Sequence, residues 1–108
     1  MAANANDREK LDRVAHEMGG AIRRQVRRKW DTVRTAERNE GGRHVWRFQS
    51  GPEGGDLFLH VTHEAMQGAE APQLLEQLRA GHWLSRLSRG PEKALVLGRD
   101  GRLVPLQA

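Results

Sequence analysis

The stretch "HVTHE", residues 60 to 64, puts His60, His63 and Glu64 within five positions, and these are residue types that bind zinc or move protons. A zinc-bearing catalytic helix would read H-E-x-x-H or H-x-x-E-H, and neither spacing occurs. Residues 60 and 63 also point to opposite faces if one strand runs through both. The expectation is a polar strand end with no metal, and His16, His44 and His82 are too scattered in the chain to complete a ligand set. Nucleophilic chemistry has less support still. There is no cysteine or tyrosine, and Ser50, Ser85 and Ser88 stand outside any G-x-S-x-G setting. Glu53, Asp56 and Glu64 offer carboxylates, but no spacing favours them as an acid–base pair. "GPEGGD" and "GRDG" lack the spacing of phosphate-binding loops and read as turns between strands. The chemistry-bearing residues therefore point away from an enzyme: no catalytic residue and no cofactor is assigned.

What remains is charge. "GGAIRRQVRRKW", residues 19 to 30, holds five basic side chains between Arg23 and Lys29. On a helix turning about 100° per residue, Arg23, Arg24, Arg27 and Arg28 form one ridge opposite the apolar stripe, whereas Lys29 falls within it. A helix end stabilises such cations through its dipole without any ligand. The same ridge, flanked by Arg34 and Arg47 and joined by Arg38 and Arg43 on the following hairpin, would also release counterions from a phosphate backbone. Trp30 and Trp46 would stack on bases if they were exposed. With only five aromatic residues in the chain, burial in the core is the expected place for both.

Helix periodicity positions the ridge. Asn6 and Glu9 have the spacing of a capping box, and Leu11, Val14, Ala15, Met18, Ala21, Ile22 and Val26 recur at steps of three and four. The helix is expected to run from Asn6 to about Arg28, after a disordered tail over residues 1 to 5. Glu9–Arg13 and Arg13–Glu17 are spaced as outward ion pairs. Gly19 and Gly20 lie mid-helix, where each costs about 1 kcal/mol, so close packing or a kink is expected there. From Trp30 the vocabulary turns β-branched and aromatic. "TVRTAERNEGGRHVWRFQS" reads as two strands around Asn39–Gly42, and "DLFLHVTH" as a third, with Leu57, Leu59 and Val61 on one face. Pro72 starts a second helix whose Leu74, Leu75 and Leu78 share a face. Trp83, Leu84 and Leu87 would fall on its far side, so Gly81 should end it before a short helical segment from His82 to Ser88. Gly90-Pro91 ends that segment. "KALVLGRDGRLVPL" is a closing hairpin around Asp100-Gly101, and Pro105 marks an edge strand or a strand end.

The order α-βββ-α-ββ predicts one α+β domain over residues 1 to 108, with about five mostly antiparallel strands and the helices packed on one face. In topology alone this order resembles that of the small α/β chaperones that mask secreted effectors. The 108 residues suit one core, and the 37% apolar content makes it a modest one. The absence of cysteine favours a reducing compartment, and no apolar run suits a secretory signal or a membrane span, so a cytoplasmic location is expected. The net charge of +4 is uneven. Residues 1 to 50 carry twelve basic and seven acidic groups, and residues 51 to 108 carry six and seven. Fifteen of the basic residues are arginine, reflecting either genomic base composition or selection for forked contacts. The expected role is a binding or adaptor domain acting through a protein partner or a homodimer, with nucleic-acid binding as the alternative and no membrane contact.

Overall fold

The computed structural model describes residues 5–30, 33–49 and 55–106, with side chains from Asp7 onward. The expected tail over residues 1 to 5 lies outside these, apart from Ala5. The chain runs α1 (Ala5–Lys29), β1 (Arg34–Glu40), β2 (Arg43–Gln49), β3 (Leu57–Thr62), α2 (His63–Gly68), α3 (Ala71–Ala80), α4 (Trp83–Arg89), β4 (Ala94–Leu97) and β5 (Leu103–Pro105). The five strands lie side by side in chain order. All neighbours are antiparallel except β3 and β4, which are parallel. Parallel neighbours need a long crossover, and α2, α3 and α4 supply it. The result is a single α+β domain.

The stripe on α1 behaves as its spacing dictates. Val14, Ala15, Met18, Ile22 and Val26 are buried against Trp46, Phe48, Leu59, Leu74, Leu78 and Trp83 in one core. The helix begins at Ala5, so Asn6 lies inside it and is not its cap. Arg13 does not serve the intrahelical pairs read from the sequence. It reaches Glu70, which also pairs with Lys10, and so ties α1 to the start of α3. Hydrogen bonding from Arg13, with help from Lys10, holds the Glu70 carboxyl below its ordinary range. The two mid-helix glycines separate in role. A Cβ on Gly19 would stand 3.2 Å from Glu37 Oε2 and 3.5 Å from Trp46 Nε1, whereas one on Gly20 would meet only the flexible end of Arg24. Gly19 therefore leaves room for the Glu37 carboxylate and the edge of the Trp46 ring beside α1.

Gly41 and Gly42 form the β1–β2 turn, with φ values of +56° and +78°. Both being left-handed makes it a type I′ turn, the form whose twist matches the strands it joins. Asn39 and Glu40, read from the sequence as turn residues, instead pair with His44 and Arg43 in the ladder. At the other end of the meander β3 stops at Thr62, whose side chain accepts the Ala65 N–H and caps α2. The short helix α2, which the sequence pattern did not reveal, buries Ala65 and Met66. Gly81 ends α3 as expected, but it is His82 (φ 57°) that takes the left-handed turn into α4. That reversal brings Trp83 and Leu87 back to the core that Leu74 and Leu78 already share. The closing hairpin places β5 at the sheet edge with Pro105 as its last residue.

Candidate binding surfaces

All the helices join the core on one side of the sheet. Strand alternation sends Trp46, Phe48, Leu57, Leu59, Val61, Leu95 and Leu97 to that side. Their neighbours face the other way. Trp30 is 8% and Trp46 0% exposed, so neither tryptophan presents a surface on which a base can stack. Trp30 packs edge-on against Phe48, and Trp46 lies 4.5 Å from the His44 ring. The chain has only five aromatic residues, and the core takes up these two.

The arginines divide between two faces. Arg23, Arg24, Arg27 and Arg28 are all exposed along α1. Arg23 bonds the Glu37 carboxylate on β1, so it is neutralised within the fold. Arg24, Arg27 and Arg28 form no ion pair with another described residue. The hairpin arginines do not extend this ridge. The register pairs Arg34 with Gln49, Ala36 with Arg47, Arg38 with Val45 and Glu40 with Arg43, all on the sheet face away from the helices. Arg47 donates from Nε and Nη2 to Asp56 Oδ2 at 2.9 and 2.6 Å. Arg38 pairs with Glu40 at 2.7 Å. Such exposed pairs add little stability, but they hold the guanidinium groups in place.

The open face continues across β3, β4 and β5. Phe58 stands beside Ala94, His60 beside Val96, and Val104 opposite Val96. Val45 lies between Arg38 and His60 and is only 1% exposed. Phe58 and His60 are half-buried with ring centroids 6.4 Å apart. Val104, 44% exposed, is the large hydrophobic residue most open to solvent among those described. The face thus consists of an apolar strip with arginines beside it.

His60 stays on the open face while His63 begins α2, and the two do not converge. His63 instead meets His44: His63 Nε2 lies 3.0 Å and His44 Nδ1 3.1 Å from Asn39 Oδ1. These two rings and Asn39 border a cleft of about 470 Å³ between α1, α2 and the hairpin. With its Nδ1–H donated to Asn39, a neutral His44 turns a lone pair toward Glu37 Oε1, 3.3 Å from Nε2, and makes no hydrogen bond there. Among the described residues no three histidine or carboxylate side chains are placed to hold a metal. The sequence does contain the signal for His44, which stands two residues before Trp46 and so shares its face. The meeting with His63 depends on the β2–β3 register, in which Arg43 pairs with Thr62.

Burial pushes the imidazoles of His44 and His60 below their ordinary value of 6.5. Glu37 opposes the shift at His44, while Arg43 and Arg38 reinforce it at His60. Both groups are therefore neutral in the folded chain at a pH where the unfolded chain begins to take up protons. Stability present above 6.5 is expected to fall as the pH drops below that value and to keep falling until the folded rings protonate. Urea midpoints compared between about pH 7.5 and 5.5 check this: the wild type should lose stability, and a His60→Gln variant should lose less.

No described helix is long and apolar enough to cross a membrane. No protein family, no curated protein and no solved structure matches the chain.

Proposed function

We propose that this chain is a non-catalytic binding module that engages an acidic, partly apolar protein segment on the open face of its sheet. The observation that carries this reading is the face itself: Phe58, His60, Val96 and Val104 form a strip that no helix covers, with Arg34, Arg38, Arg43 and Arg47 beside it. Glu40 shares the β1–β2 part of that face, and Asp56 is held by Arg47. The balance there is positive and suits a carboxylate-rich partner that also offers apolar side chains. A second reading, phosphate binding by the end of α1, is favoured by the exposed Arg24, Arg27 and Arg28.

One experiment tests both. A labelled peptide alternating glutamate and phenylalanine, its lysine counterpart and a single-stranded oligonucleotide are titrated with the protein at low and near-physiological salt. The proposal expects the acidic peptide to bind at both salt concentrations and a folded Phe58→Glu, Val104→Glu variant to lose that binding. Oligonucleotide binding that survives salt and disappears in an Arg24→Glu, Arg27→Glu, Arg28→Glu variant would move the function to the helix end. Equal binding of the acidic and basic peptides would overturn the open-face reading.

A further inference from the structure

We infer that β1 is the dimerisation edge of this protein, pairing antiparallel with β1 of a second copy so that two five-stranded sheets become one. The sheet has two edges of unequal kind. β5 has three residues and ends on Pro105, which has no N–H to offer a neighbour. β1 has seven, pairs with β2 at every position without a bulge, and is exposed at six of them. It carries no proline, and its four charged side chains, which oppose pairing with an arbitrary strand, are of alternating sign and can be matched by a second copy of the same strand. One open edge beside one blunted edge gives a closed pair and no fibre.

Hydrogen-bond geometry chooses the register. The residues flanking a two-residue turn exchange both hydrogen bonds, and bonded pairs recur at every second position. Glu40, Arg38, Ala36 and Arg34 thus bond to β2, and Thr35, Glu37 and Asn39 turn their N–H and C=O groups outward. A two-fold axis through Glu37 aligns all seven residues of one β1 with the other. Thr35 then faces Asn39 of the second copy, and each Arg34 faces the second copy's Glu40 across a non-bonded pair, where side chains approach most closely. The strand "RTAERNE" is charge-complementary to itself in this register. Shifting it by two residues sets Arg34 against Arg38 or Arg38 against Arg38, which like charges disfavour. The central pair places Glu37 opposite Glu37, but each of these carboxylates is already held by Arg23 of its own α1.

This inference is independent of what the open face binds, although pairing would set two such faces side by side. Sedimentation across a concentration series tests it, with circular dichroism to confirm folding. Wild type should show a dimer mass at high concentration. Arg34→Glu and Glu40→Arg each convert two attractive pairs into two repulsive ones and should raise the dissociation constant about tenfold. Mixed together, the two variants should recover a heterodimer, because each supplies the charge the other lacks. A wild type that stays monomeric throughout, single variants as dimeric as wild type, or a mixture that fails to associate would each overturn the proposal. The Phe58→Glu, Val104→Glu variant separates it from the open-face reading, since loss of peptide binding there should leave the dimer mass unchanged.

Discussion

Trp46→Ala is expected to lower the unfolding free energy by about 3–5 kcal/mol, a large share of the roughly 5–15 kcal/mol available to a domain of this kind. Trp46 is fully buried in the middle of β2, opposite Glu37 on one neighbour and Leu59 on the other. Its indole Nε1 borders the space that a side chain on Gly19 would fill. Removing the ring would leave a cavity between α1 and the sheet, and the surrounding core side chains keep these layers apart, so little collapse is available to fill it. The indole N–H meets no acceptor among the described residues, and Trp46→Phe therefore gives up volume but no hydrogen bond. That variant should cost less than half as much as alanine. Urea unfolding of the three proteins measures both effects, and equal midpoints for wild type and Trp46→Ala would show that the ring is not a packing element.

Exchanging the hairpin turn should have the next largest effect. Gly41→Val with Gly42→Val forces two β-branched residues into left-handed φ, at about 1–2 kcal/mol each, so about 2–4 kcal/mol together. Space is not the obstacle, since nothing lies within 4 Å of a Cβ at either position. The cost is therefore in the backbone dihedrals. Gly42 O also accepts the His63 N–H at 2.8 Å, which ties the turn to the start of α2. A distorted turn would consequently loosen Asn39, His44 and His63 as a group, as well as the edge presented by β1. Thermal melting measures the loss of stability, and Gly41→Asn with Gly42 kept should retain most of it because asparagine tolerates this region. A double valine variant as stable as wild type would contradict the turn assignment.

Turn chemistry of that kind is legible before any fold is known, and so is periodicity. The stripe on α1, the alternation in β3, the break at Gly81 and the edge position of Pro105 each follow from a local rule, because dihedral preference and side-chain direction depend on residues within a turn or two. The solvent exposure of Arg23, Arg24, Arg27 and Arg28 follows in the same way, from their angle to the stripe. α2 escaped because six residues are too few to establish a helical period, and only Thr62 capping its first turn identifies it.

Composition and spacing thus determined the class of fold and the faces of its long elements. Tertiary structure alone decided which residues meet. Arg34 joined the face away from α1 because the β1–β2 register pairs it with Gln49, which strand alternation turns to the side opposite that of Trp46 and Phe48. Arg23 met Glu37 in the space that the missing side chain of Gly19 leaves open. His44 met His63, and His60 did not, because β3 ends at Thr62 and the chain turns over the helical side of the sheet. The physical reason is common to all three: contacts between residues distant in the chain depend on strand register and layer packing, which are settled by the whole core at once and leave no trace in local spacing.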